Sequence, residues 1–190
     1  MKQQHFILHK PYGYLSQFKY ELKRNKKLLG ELYDFPAGTM AIGRLDEDSE
    51  GLLLITTDGK ISDYICSSKV DKEYYVQVDG LITADAIMQL SKGVEIGFEG
   101  TKYLTKACSA HQVEFEPNFG PRAKKIRDER HGPTSWVSIT VNEGKFRQVR
   151  KMTAAVGFPT LRLVRVRIGN VQLNNLQSGE VIEVPEFNIK

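Results

Sequence analysis

The chain has 190 residues, 41% of them hydrophobic and 26% charged, with a formal net charge of +4. That length holds one domain or two small subdomains around a real hydrophobic core, and the composition is that of an ordinary globular protein. No apolar run approaches the ~20 residues needed to cross a bilayer. The start, Met1 to Lys10, has only three apolar residues together, too few for a signal peptide. Cys66 and Cys108 belong to no Cys-x-x-Cys pair. Both are expected as free, buried thiols in a reducing compartment, the cytoplasm.

In chain order, Phe6–Leu8 reads as a short strand ending at the turn signal Lys10-Pro11-Tyr12-Gly13. Residues 17–38 are polar and then punctuated by Pro and Gly, which predicts a long surface loop, mobile without a ligand. Residues 40–42 lead into Gly43-Arg44-Leu45-Asp46-Glu47-Asp48-Ser49-Glu50-Gly51, followed by the apolar run Leu52–Ile55, which reads as a buried strand. Asp58 is placed to cap a short helix over residues 60–66. Tyr74, Val76 and Val78 alternate with polar neighbours and predict a strand. Thr83 caps an amphipathic helix carrying Ile87, Met88 and Leu90, stopped by Gly93. Residues 108–115 and 136–141 look like strands flanking the polar stretch 116–133, a loop or an extended hairpin tip. Residues 146–156 fit a helix with Phe146, Val149, Met152, Thr153 and Val156 on one face and Gly157 as its stop. Beyond it, Val164, Val166 and Ile168 face one way and Arg165 and Arg167 the other; residues 181–184 form a last strand. Strands outnumber helices and few fit a β-α-β alternation, so the expected class is α+β with a mixed, largely antiparallel sheet and flanking helices.

Charge is unevenly distributed. Basic residues crowd into 19–27, 122–130 and 145–167, the last holding Lys145, Arg147, Arg150, Lys151, Arg162, Arg165 and Arg167. Three such clusters fit a polyanion-binding face. Nucleic acid is favoured over a membrane surface, because no long basic helix with an aromatic face occurs.

The acids of 46–50 admit three readings. One is a solvated acidic turn. A second is calcium: Asp46, Asp48, Glu50 and Gly51 match positions of an EF-hand loop, but Thr57 stands where the bidentate Glu belongs, and Pro36, Gly38 and Gly43 preclude the entering helix. The third is a single catalytic carboxylate. Arg44 and Asp46 are two apart, so in an extended segment their side chains point the same way. Arg150, on the predicted helix, offers a guanidinium from a second element that would keep such a carboxylate ionised and oriented. Composition alone does not choose among these. A metal-dependent nuclease would need a second set of acids in register, and none is evident.

Several motifs together resemble the RsuA-type pseudouridine synthases. Gly43-Arg44-Leu45-Asp46…Gly51-Leu52-Leu53-Leu54 is similar to the family's signature. His9-Lys10-Pro11-Tyr12-Gly13 resembles its K-P-x-G turn, and Lys72-Glu73-Tyr74 its K-x-Y. Glu143-Gly144-Lys145-Phe146-Arg147-Gln148-Val149-Arg150-Lys151-Met152 resembles E-G-K-x-x-Q-V-R-(R/K)-M, and Leu163-Val164-Arg165…Ile168-Gly169 resembles L-x-R-x-x-I-G. The five occur in order from residue 9 to residue 169.

The resemblance implies a pseudouridine synthase fold with a central RNA-binding cleft, and isomerisation of uridine to pseudouridine within RNA without cofactor or metal. By motif, Asp46 is the nucleophile, Tyr74 stacks on the flipped uracil, and Arg150 pairs with Asp46. Leu163, with Leu161 as a close competitor, packs on the target nucleotide; Lys10, Arg44, Lys145, Arg147, Lys151 and Arg165 are expected to contact RNA. Only eight residues precede His9, so no N-terminal S4 RNA-binding domain is expected, and residues 1–190 are read as one catalytic domain. That departure resembles the RluE-like branch, which modifies large-subunit (23S) ribosomal RNA, and shifts target selection onto the basic loops 19–27 and 122–130. A monomer is expected, since RNA supplies the partner surface. The alternative is a non-catalytic RNA-binding or ribosome-assembly factor on the same fold.

Overall fold

The computed structural model describes residues 3–19, 26–67 and 70–189. Residues 20–25, and with them much of the first basic cluster, lie outside those described. The chain divides into two compact units: unit one comprises residues 1–70, 119–124 and 165–190, and unit two residues 71–118 and 125–164. Among the described residues the sheets are predominantly antiparallel and three α-helices accompany them, an α+β architecture as the element pattern predicts.

Unit one carries β1 (His5–Lys10), β2 (Tyr14–Leu15), β3 (Lys27–Leu28), β4 (Met40–Ile42) and β5 (Glu50–Thr56), with β2 and β3 paired in parallel as a small sheet of their own. Every residue of β5 is buried, which is why its apolar run does not alternate. β5 pairs antiparallel with β1, setting Phe6 opposite Ile55 and Leu8 opposite Leu53, while β4 sets Ile42 opposite Leu54. Full burial of each such side chain contributes about 1.5–3 kcal/mol. A ring cluster of Phe6, Phe18, Tyr33 and Phe35 closes one side, with centroids 5.0–5.6 Å apart. The expected surface loop 17–38 therefore contributes to the core: Leu28 and Leu29 are buried, the latter opening a 3-10 turn over Leu29–Glu31. Helix α1 (Gly59–Cys66) starts where the sequence indicates, Asp58 accepting from the Lys60 amide. Cys66, expected to be buried, is exposed because the helix turns only Ile65 inward.

Unit two carries β6 (Lys72–Asp79), α2 (Ala84–Lys92), β7 (Glu95–Phe98), β8 (Thr101–Leu104), β9 (Ser109–Gln112), β10 (Thr134–Val141) and α3 (Gln148–Ala155). β10 lies antiparallel between β6 and β9, with Val76 opposite Val137 and Tyr74 opposite Ile139. The core joins Val76, Val78, Val137 and Ile139 of the sheet to Ala86 and Leu90 of α2, Val149 and Met152 of α3, and Leu163. Thr83 caps α2 as expected, but Met88 is exposed; Ala86 and Leu90 form its inward face. At Gly93 the chain has φ +94°, and a Cβ there would collide with the Thr105 carbonyl oxygen, so only glycine fits between α2 and β7.

β11 (Thr160–Ile168) is divided, its residues to Val164 belonging to unit two and those from Arg165 to unit one. β12 (Val171–Gln172) pairs with its end, and β13 (Val181–Val184) pairs with β1. No described helix is long and apolar enough to cross a membrane.

Candidate active site

The predicted site residues fall in both units, and each set is described in its own. Unit one holds Lys10, Arg44, Asp46 and Arg165; unit two holds Tyr74, Lys145, Arg147, Arg150, Lys151 and Leu163.

Residues 43–49 form the connection between antiparallel β4 and β5. Arg44 is exposed, Leu45 buried and Asp46 half-buried, the alternation an extended entry requires. The backbone on either side of Asp46 is pinned. The buried Ser16 hydroxyl donates to the Leu45 carbonyl (2.8 Å) and accepts from the Leu45 amide (3.0 Å). The Ser49 amide closes back on the Asp46 carbonyl (3.1 Å), and Gly13 donates to that of Glu47 (2.8 Å). Lys26 holds the Glu47 carboxylate from 2.8 Å.

Glu50 is the member of the acidic cluster that most clearly departs from a solvated turn. Its side chain is 2% exposed and lies 3.1 Å from Nε of Arg122, itself 9% exposed. The Arg122 guanidinium also sits 4.1 Å from the Tyr12 ring centroid, and its Nη2 reaches the Asp48 carbonyl. Residues 119–124, flanked in sequence by segments of unit two, thus serve unit one as a strap anchored on Arg122. The second basic cluster is correspondingly less available to RNA than its composition suggests: Arg122 is spent on Glu50 and Arg127 on Asp79, leaving Lys124, Lys125 and Arg130 exposed, the last beside Asp128.

Lys10 and Arg165, expected to contact RNA, are buried. Lys10 has no exposed surface, and its Nζ donates to the carbonyls of Pro11 (2.9 Å) and Tyr14 (2.7 Å). Burial pulls its pKa down to about 7, against the attraction of Glu50, Asp48, Asp46 and Glu47. Arg165 donates through Nε to the Leu52 carbonyl (2.7 Å), tying β11 to β5 within unit one. Lys10 lies within electrostatic reach of the acidic loop, and Arg165 braces the strand that follows it.

In unit two, Tyr74 stands on β6, half-buried against the core. Leu163, expected against a nucleotide, is 4% exposed and packs in the unit's core. Phe146, expected on the inner face of the helix, is 67% exposed, because α3 starts only at Gln148. The break is Arg147, whose φ of +53° puts a non-glycine residue in the left-handed region, at a cost of about 1–2 kcal/mol. The neighbouring hydrogen bonds hold it there: Gln148 accepts from the Lys145 amide through its side chain (3.0 Å), and its own amide donates to the Lys145 carbonyl (3.0 Å).

Glu143 organises this turn. It accepts from the Tyr103 hydroxyl (2.6 Å), the Lys106 amide (3.0 Å) and Gln148 Nε2 (2.6 Å). Burial raises its pKa, but these donors outweigh it and leave the carboxyl below its usual range, while the same contact raises the Tyr103 hydroxyl. Burial, helped by Glu143, pushes the Cys108 thiol up to about 11, an unreactive group. Arg150 follows on α3, half-buried.

Sequence reasoning missed the structural use of Glu143 and Gln148, whose five-residue spacing within the E-G-K-x-x-Q motif was the available signal, and the pairing of Glu50 with Arg122, 72 positions apart in the sequence, for which there was none. Among the described residues no group of three His, Cys, Asp or Glu side chains is placed to hold a metal ion. His111 and His131 are exposed.

Residues 4–155 match the family described as RNA pseudouridylate synthase. A ribosomal large subunit pseudouridine synthase E of Xanthomonas campestris pv. campestris is 41% identical over 92% of this chain and 91% of that protein. One of the same name from Vibrio parahaemolyticus is 41% identical over 94% of this chain and 72% of that protein. Among solved structures, a pseudouridylate synthase superposes with a TM-score of 0.75 at 27% identity, covering 96% of this chain and 70% of that one.

Proposed function

Because the chain belongs to the RNA pseudouridylate synthase family, we propose that it converts a specific uridine of large-subunit (23S) ribosomal RNA to pseudouridine, with Asp46 as the nucleophile. The observation that carries the target class is the 41% identity, over nine-tenths of both chains, to a protein named for that subunit. Supporting Asp46 are its place on a loop pinned at Leu45, Glu47, Glu50 and its own carbonyl, and its half-buried side chain within electrostatic reach of the buried Lys10.

The reaction exchanges one bond to the ribose for another. The N1–C1′ bond breaks, either by attack of the Asp46 carboxylate at C1′ or with Asp46 assisting departure of uracil to a glycal by loss of the C2′ proton. The freed base turns and C5 bonds to C1′, as the Asp46–C1′ bond breaks on the first route or as C2′ regains its proton on the second, and the C5 proton is lost while N1 takes one up. Tyr74 supplies the stacking face that holds the base through this rotation, offsetting the few kcal/mol spent in flipping it with roughly 1–3 kcal/mol of stacking. On the glycal route the Tyr74 hydroxyl is the group offered to the C2′ proton. Arg150 takes the role of the guanidinium that keeps Asp46 ionised. Arg44, Lys145, Arg147 and Lys151 supply phosphate affinity; Lys10, Arg165 and Leu163 act from beneath, by fixing the elements that bear the others. Residues 1–190 are read as one catalytic domain, acting as a monomer in the cytoplasm.

The test uses transcribed 23S rRNA, wild-type protein and Asp46→Asn, with pseudouridine read by chemical mapping. Wild type should modify one uridine, and Asp46→Asn should lose about 10³-fold or more in rate while still binding RNA. Full activity in the variant would remove Asp46 from the chemistry. If both proteins bind RNA and neither modifies it, the chain is a binding factor on an enzyme's fold.

A further inference from the structure

Within unit two, five side chains form an alternating series of rings and cations, of which the roles above use only the two lysines and leave the three rings unused. Lys145 Nζ lies 5.1 Å from the Tyr103 ring centroid and 5.0 Å from that of Phe98. Lys151 Nζ lies 6.0 Å from Phe98 and 5.5 Å from Phe146. The series is fixed at two of its members. Tyr103 is hydrogen-bonded to Glu143, and Lys151 Nζ donates to the Gly97 carbonyl (2.7 Å). Phe146 ends it with its ring two-thirds exposed. The left-handed Arg147 is what takes Phe146 off the helix: with φ −60° there, α3 would extend back and carry the ring onto a helical face. The chain thus holds a strained residue next to a large apolar group that it does not bury, and such strain persists where the surroundings demand a particular presentation.

We propose that Phe146 is a stacking platform for an unpaired nucleotide of the RNA substrate other than the uridine that reacts. The inference rests on the RNA-modifying reading above and adds to it a second base contact and a preference for single-stranded flanks. Three observations select this occupant. The exposed ring is bordered in sequence by Lys145, Arg147 and Lys151, so a base on the ring has its phosphates among cations. A protein partner would meet lysines where interface cores are depleted of them. A duplex presents no free base face to a ring, whereas an unpaired nucleotide does.

The experiment uses the full chain, a fluorescein-labelled single-stranded oligoadenylate of about 12 nucleotides, within the range of site sizes for such binding, and a blunt RNA duplex of equal length. Phe146→Ala should weaken single-strand binding about tenfold, the effect of losing one base stack, with the slope against salt unchanged because no phosphate contact is lost. Phe146→Tyr should bind as wild type. Phe146→Trp gives a direct readout: the chain's single tryptophan, Trp136, is 4% exposed, so new emission from position 146 should be quenched by the single strand and not by the duplex. Binding of Phe146→Ala within twofold of wild type, or equal quenching by duplex and single strand, overturns the proposal. Its failure is separable from that of the enzymatic reading: wild type that forms pseudouridine while Phe146 variants bind unchanged defeats the platform alone, and quenching without pseudouridine in any rRNA defeats the activity alone.

Discussion

Replacing Arg122 with Met tests how the acidic loop is held. The guanidinium and the Glu50 carboxylate are 3.1 Å apart with side chains 9% and 2% exposed, so water screens little of their attraction. Removing one partner of such a pair costs about 3–5 kcal/mol, because the remaining charge stays buried. Loss of the cation over the Tyr12 ring adds roughly 1 kcal/mol, offset in part by the apolar contact Met retains. Lys10, also drawn to Glu50 by charge, stays in place and sets the expected total near the lower bound, about 3 kcal/mol. Against a typical stability of about 5–15 kcal/mol this is large. Urea unfolding of wild type, Arg122→Met, Glu50→Gln and the double variant gives the cycle. The double variant should be more stable than the sum of the single losses by about 2 kcal/mol or more, since it leaves no orphaned charge. The strap should also loosen locally, and trypsin should cut after the exposed Lys124 and Lys125 several-fold faster in Arg122→Met under native conditions. A cost below about 1 kcal/mol, the range of an exposed pair, or strict additivity, would refute the assignment of Arg122 as the anchor.

Lys10 gives a pH signature. Its pKa is about 7 when folded against 10.5 in its ordinary state, so between these values the unfolded chain binds more protons and stability must rise with pH, at up to about 1.36 kcal/mol per unit; the burial penalty is full below pH 7 and gone above 10.5. Wild type should therefore gain about 3 kcal/mol on Lys10→Met between pH 6.5 and 9.5 in urea unfolding, and parallel curves would show that Lys10 stays charged in the fold. Gly93→Ala must place a Cβ against the Thr105 carbonyl at φ +94°, and should cost about 3 kcal/mol; an unchanged Tm would mean that the α2–β7 junction relaxes freely.

What the sequence made legible follows from how locally each feature is encoded. β5 was readable because four consecutive apolar residues have one use in a chain of this length, and the Asp58 and Thr83 caps because a capping side chain acts within two or three residues of itself. The hairpin of β7 and β8 was not. Its turn places Glu99 and Gly100 at φ +50° and +76°, the left-handed pair that Asn-Gly usually announces, and Glu in the first place conceals it. Phe146 was misplaced for a related reason: a 3.6-residue period runs through residues 146–156, and nothing in the identity of Arg147 marks it as left-handed until the Glu143 and Gln148 hydrogen bonds are seen.

Charge was the least legible property, because a count of lysines and arginines carries no depth. Lys10, Arg122, Arg162 and Arg165 are all largely buried, whereas Arg44 is exposed and Lys145, Arg147 and Lys151 are half-exposed. The same division runs through the acids, Glu50 lying in the framework and Asp46 at its edge. A buried cation next to a buried acid cancels at a distance, so it neither attracts RNA nor adds to the salt dependence of binding. It acts instead on its neighbours over a few ångströms, where low dielectric makes its influence strongest. Burial, more than residue type, therefore decides which of the motif charges can meet a polyanion and which can only shape the carboxylate that the proposed reaction uses.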